Sequence, residues 1–280
     1  MSGSLGSLSS LLSTMSSTSD ALLNAIYGHG GTTPTGQSAV AALASAQRNE
    51  TVEITATAQQ PSVKRAVAAF TAAVKGATSV KQLLANPSVM NVLLTANGMS
   101  DQIGYTALAT AALTSNVKDP ASLVNKLTDT RWKTLASTYN FATSGLSGIR
   151  QPKAIAAIAQ AYAQTVWEQK QDNQTPGLAN ALTFIAQASS AKSVDAILGN
   201  PTLRTVVTTA LGIPKQIAFQ PLGAQEKSIS SRLDITRLQD PKFVQSFAQR
   251  YLIANAQNQA SASNTTDIAT LAAKAGGIVV

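Results

Sequence analysis

The sequence predicts an all-α protein: two related multi-helix lobes from an internal duplication, preceded by a flexible amphipathic segment. Three observations carry that prediction. Gly and Pro, 17 and 10 of 280 residues, stand where helices stop and start rather than at hairpin turns. Strict apolar/polar alternation, the mark of a half-buried strand, is scarce. One ordered set of caps, breakers and apolar positions occurs twice.

The first clear element begins at Pro61. Val63, Ala66, Val67, Phe70, Ala73 and Val74 recur at helical spacing behind that proline, and Gly76 follows the last of them. Ser79 then caps a short helix through Leu83 and Leu84. Asn86-Pro87 caps and opens another, carrying Val89, Val92 and Leu93, and Gly98 falls where a C-terminal glycine belongs.

The same order returns downstream without a gap. Ser79-Val-Lys-Gln-Leu-Leu-Ala-Asn86-Pro87 matches Ser193-Val-Asp-Ala-Ile-Leu-Gly-Asn200-Pro201, then Val92 meets Val206, Ala96 meets Ala210, Gly98 meets Gly212, and Gln102-Ile103 meets Gln216-Ile217. Upstream, Phe70 meets Phe184. Coincidental helices would not keep caps, breakers and core positions in one register, so a duplication is expected. After a small shift, Asp119-Pro120 is expected to open a helix carrying Leu123, Val124, Leu127, Arg131 and Trp132. Asp240-Pro241 should open its counterpart with Phe243, Val244, Phe247, Arg250 and Tyr251.

These readings divide the chain into a flexible segment and Gly-rich linker at 1–47, a helical lobe at 48–141, a small-residue joint at 142–151, a second lobe at 152–258, and a polar tail at 259–280. Pro152, Ile155, Ile158, Tyr162 and Trp167 begin the second lobe as a helix, and Asp267 is expected to cap a last short helix in the tail.

The first 27 residues carry nine Ser and one charge, Asp20. Their apolar residues, Leu5, Leu8, Leu12, Met15, Leu22 and Ile26, follow heptad spacing with Ser19 in the one gap. An isolated helix of this composition is marginal in water, so the stripe is expected to order against a protein partner or against the chain's own body.

Composition excludes several classes of function. There is no Cys and one His, which removes thiol nucleophiles, disulfides and Cys-built zinc sites. Net charge is +8, but the basic residues are scattered, Lys64-Arg65 is their one adjacent pair, and aromatics are 5%, so nucleic-acid binding is not expected. No apolar run reaches the roughly 18 residues of a membrane span. The first basic side chain is Arg48, which leaves no charged region of the kind that opens a Sec signal. Gly28-His29-Gly30-Gly31 lacks the Gly-Lys-Ser/Thr ending of a phosphate loop, and Gly145-Leu-Ser-Gly148 is not a nucleophile elbow. Glu50 and Glu53 read as an exposed helical charge pattern, while Trp132, Tyr139, Phe141, Tyr162 and Trp167 read as core. No catalytic residue, cofactor, metal or small-molecule substrate is expected.

Gly212-Ile-Pro214, Gln216-Ile-Ala-Phe-Gln-Pro-Leu, Gln225-Glu226-Lys-Ser-Ile-Ser-Ser-Arg232-Leu233-Asp234 and Leu238-Gln-Asp240-Pro241-Lys-Phe243 occur in order. With Asn173-Gln-Thr-Pro176-Gly-Leu and Ile197-Leu-Gly-Asn200-Pro201-Thr-Leu203 upstream, the chain resembles the domain of unknown function 1217 family over most of 60–255. The resemblance implies a bacterial, flagellum-associated setting and no reaction. A Cys-free, weakly charged, Ser/Thr/Asn/Gln-rich chain is also similar to the axial proteins that leave through the flagellar export channel. The expectation is therefore a non-enzymatic structural or assembly protein of the bacterial flagellum, exported through that apparatus and placed in the flagellum or outside the cell. It would bind flagellar components or its own copies through the N-terminal stripe. The alternative is a cytoplasmic adaptor or chaperone for flagellar components.

Overall fold

In the computed structural model the backbone is described for residues 35–276 and the side chains for 35–262, and all regular structure among them is helical. The helices are α1 (Gly36–Ala58), α2 (Pro61–Gly76), α3 (Val80–Leu84), α4 (Pro87–Ala96), α5 (Thr106–Leu113), α6 (Arg131–Tyr139), α7 (Phe141–Ser144), α8 (Pro152–Gln174), α9 (Leu178–Gln187), α10 (Val194–Leu198), α11 (Pro201–Ala210), α12 (Leu222–Ser230) and α13 (Pro241–Gly276), with short 3-10 turns between some of them.

The two stretches matched in the sequence take the same local form. Ser79 and Ser193 adopt φ −146° and accept the amides of Gln82 and Ala196, starting α3 and α10. Asn86 accepts from Ser88 and Val89, and Asn200 from Thr202 and Leu203, each ahead of a proline in the first turn of a ten-residue helix. Gly98 and Gly212 close those helices at φ 66° and 64°. The next amides, Met99 and Ile213, reach back to Leu94 and Thr208, each at 2.8 Å. Phe70 and Phe184 are both fully buried.

The correspondence ends between these stretches and the last helices. Asp240-Pro241 opens α13, but Asp119-Pro120 opens no helix. Asp119 accepts from the Ala121 amide, and Asn125 donates to the carbonyls of Val117 and Asp119, so side chains hold that backbone in turns. Leu123–Asn125 is a 3-10 turn, and Arg131 and Trp132 begin a separate helix.

Each lobe has its own core. The first gathers Phe70, Leu84, Leu93, Met99, Trp132 and Leu135, the second Leu43, Phe184, Val206, Phe247, Tyr251 and Leu252. Helix α8 belongs to both, because Ile158 packs in the first core and Trp167 in the second. It touches α4, α1 and α9.

Three expected boundaries move. The break at 47/48 falls inside α1, whose Ala39, Leu43 and Ala46 join the second core rather than the first. There α1 lies against α13: a Cβ on Gly36 would sit 3.1 Å from the Ile253 backbone, and Gln47 and Gln245 exchange amide hydrogen bonds at 2.9 Å. The joint at 142–151 is packed, with Ile149 buried in the first core and Arg150 donating to the Val74 carbonyl at 3.2 Å and to that of Ala77. Finally, α13 runs unbroken to Gly276, so Asp267 lies inside a helix instead of starting one. The N-terminal stripe lies outside the described residues.

Candidate functional site

The lobes meet along a cleft between α4, α6 and α8 on one side and α9 to α11 on the other. Two adjoining recesses, about 630 and 350 Å³, open there and share Gly98, Arg131, Thr165, Glu168, Thr183 and Thr202. The seam is fixed by backbone. Thr130, just ahead of α6, donates its amide at 2.8 Å and its hydroxyl at 3.1 Å to the carbonyl of Gly199 at the end of α10. Residue 199 has to be small, since a Cβ would lie 2.5 Å from the Thr130 methyl and 3.1 Å from the Thr128 carbonyl.

Arg131 forms one wall. Its guanidinium is forked onto Asp129, with Nε at 3.0 and 3.1 Å and Nη2 at 2.7 Å from the carboxylate, and it also reaches Asp101 at 2.9 Å and the Gly98 carbonyl at 2.7 Å. Burial works against the guanidinium's charge, but hydrogen bonds to Asp129 and Asp101 outweigh it and raise the pKa. Partial burial likewise opposes charge on Asp101, and hydrogen bonds from Arg131 and Gln102 still hold it below the usual carboxylate value. The arrangement ties the end of α4 to the start of α6 and leaves Arg131 electrically matched.

Glu168, on α8 along the same side of the cleft, is the one buried charged side chain among the described residues, 9% exposed. Gln164 donates to it at 3.0 Å and Thr183 at 3.4 Å. Burial pushes this carboxyl up; those hydrogen bonds pull the other way, and Glu50 adds to the rise. The residue before it, Trp167, donates its indole N–H to Glu53 at 2.6 Å, and Gln171 donates to the same oxygen at 2.7 Å, locking α8 onto α1. Asp172 accepts the Gly177 and Ala179 amides and so fixes the start of α9.

The structure therefore puts Arg131, which sequence reading placed on a helix without a role, and Glu168, which it did not single out, on the lining of the same two recesses. No spacing rule joins residues on α6 and α8; the single available signal is that Glu168 follows a core tryptophan on an apolar helix face. Glu53, read as an exposed charge, is half-buried and bonded. The aromatics Trp132, Tyr139, Phe141 and Trp167 are core, as their helical spacing predicts, and Tyr162 packs at its edge. Leu5, Leu8, Leu12, Met15, Leu22 and Ile26 lie outside the described residues, as does His29. Among the described residues no three His, Cys, Asp or Glu side chains gather as a metal site, and no helix is long and apolar enough to cross a membrane. Phe219, inside one of the motifs quoted above, is 91% exposed.

No curated protein matches the chain. A crystal structure from Agrobacterium tumefaciens, solved as a structural-genomics target, shares the fold with a TM-score of 0.66 at 24% identity, covering 76% of this chain and 90% of that one. A sequence profile matches residues 96–244, which takes in both walls of the cleft and the second set of matched caps, and by that match the chain belongs to the family described as protein of unknown function (DUF1217).

Proposed function

We propose that this protein is a non-enzymatic structural or assembly component of the bacterial flagellum, exported through the flagellar apparatus, that works by binding other proteins. The observation that carries the reading is how the described body uses its polar groups. Every buried side-chain N or O atom among the described residues has a partner. Arg131, Glu53 and Asp172 each tie one helix to another rather than converge on a reacting centre. The uncharged, Cys-free composition and the resemblance stated above support the flagellar setting, and the heptad stripe from Leu5 to Ile26 supports partner binding through the N-terminus.

The same reading includes descent of the two lobes from one duplicated unit. Its support is the matched geometry at Ser79 and Ser193, Asn86 and Asn200, and Gly98 and Gly212.

The test is location. Cytosol, culture supernatant and sheared flagella are probed in wild-type cells and in a strain lacking the flagellar export gate. Enrichment outside the cell that vanishes in the mutant is expected. Retention in the cytosol of both strains overturns export and favours the adaptor. A chain lacking residues 1–27 that still supports assembly and motility overturns the role given to the stripe.

A further inference from the structure

We infer that the cleft between the lobes is a binding site for a guanidinium or primary ammonium group, held by the Glu168 carboxylate. The inference stands apart from the flagellar reading and starts from an imbalance inside the fold. Arg131 has two carboxylates and a carbonyl for one positive charge, whereas Glu168 has two neutral donors, one of them at 3.4 Å, for one negative charge. Both ion pairs found among the described residues belong to Arg131. No Lys or Arg there neutralises Glu168.

A glutamine at this position would fill the same space, accept from Gln164 through its one oxygen and donate its amide N–H to the Thr183 hydroxyl oxygen, which need only turn its proton away, without the desolvation cost of a buried charge. The fold alone therefore gives no reason for a carboxylate. A visiting cation does, because it restores the solvation that burial removes. The surroundings fit a group rich in N–H donors. Thr134, Thr165, Thr183 and Asn97 line the same recess as the carboxylate and carry oxygen acceptors. The one fixed cation on the wall, Arg131, is already matched by Asp101 and Asp129 and does not repel a second. A divalent metal is a poorer occupant, since no three acidic or histidine ligands gather in the described residues. The 630 Å³ recess has room for the stem that carries the charged group.

The same chemistry could be brought by a free amine or guanidine, or by an Arg or Lys side chain of a protein partner. The experiment uses the full chain and isothermal titration with L-argininamide, L-lysinamide and the uncharged isosteres citrullinamide and norleucinamide, beside a short peptide with one central Arg. Saturable binding with a Kd below about 10 mM is expected for at least one cationic probe, with at least tenfold weaker binding of its neutral counterpart. Glu168→Gln, which preserves size, is expected to lose at least tenfold. Ala186→Phe, which fills the cleft mouth without touching a charge, is expected to do the same. A peptide that binds more than tenfold tighter than argininamide assigns the source to a protein side chain; equal binding assigns it to a small molecule. No saturable binding by any cationic probe, or equal binding by the folded Glu168→Gln protein, overturns the inference.

Discussion

Arg131→Met isolates what one matched charge contributes to the joint between α4 and α6. The substitution keeps most of the aliphatic stem and removes the fork. Asp129, whose side chain is 19% exposed, then loses its cation, and the Gly98 carbonyl loses a charge-assisted donor at 2.7 Å. Breaking a fully buried pair costs about 3–5 kcal/mol. Two facts reduce that figure here: Asp129 retains some water, and Asp101 is 52% exposed, so its share is at most about 1 kcal/mol. The expected loss is about 3 kcal/mol, which for a body of this size lowers the melting temperature by about 6–12 °C. Urea unfolding of wild type, Arg131→Met, Asp101→Asn, Asp129→Asn and the double variant Asp129→Asn/Arg131→Met measures it. Asp101→Asn should cost under about 1 kcal/mol. The double variant should be less destabilised than the sum of its parts, because the one charge it leaves unpaired is the half-exposed Asp101 carboxylate, which water solvates. Arg131→Met within about 0.5 kcal/mol of wild type would refute the reasoning, since it would mean that water already supplies what the guanidinium was said to supply.

Glu168 gives a pH signature. Its folded pKa is raised above the unfolded value, so the folded chain keeps a proton that the unfolded chain sheds. Stability is expected to fall as pH rises from about 4.3 through the raised folded value and to level off above it. Glu168→Gln should be flat across that window, and more stable than wild type at neutral pH by urea unfolding; an identical slope in both proteins counts against the assignment. Asn86→Ala and Asn200→Ala should each cost about 1 kcal/mol, and a much larger cost at one than the other would break the equivalence of the two caps. Gly199→Ala forces a Cβ to within 2.5 Å of the Thr130 side chain and should cost about 1–3 kcal/mol, with part recovered when Thr130→Ala is added; no recovery would place the strain elsewhere. Phe219→Ser should leave stability within about 0.5 kcal/mol, since the ring is 91% exposed.

What the sequence made legible is what one short stretch decides for itself. Caps at Ser79, Asn86, Ser193 and Asn200 and terminators at Gly98 and Gly212 were readable because side chain and backbone partner lie within four residues. Asp119-Pro120 carries the same two letters as Asp240-Pro241 and takes another form, because Asn125, six residues on, holds the Asp119 carbonyl in a turn. The start of α1 was hidden by a Gly-rich approach, and what decides its place is Ile253, far away in the chain. The cleft was illegible for the same reason. Arg131 and Glu168 face one recess only because α8 runs through both cores, and nothing in their local spacing records it.

The bond between Gln47 and Gln245 spans 198 residues, and Leu43 is buried in a core that α13 completes. On a ribosome adding about 5–20 residues per second, roughly 10–40 s separate the emergence of α1 from that of its partner. During that interval the first lobe can form and α8 can take up one side of α1, while the side that α13 covers stays open. The nascent chain thus carries near its beginning a face that only its end can close, so a chain cut short before α13 leaves α1 resting on α8 with the surface around Gly36 and Gln47 uncovered.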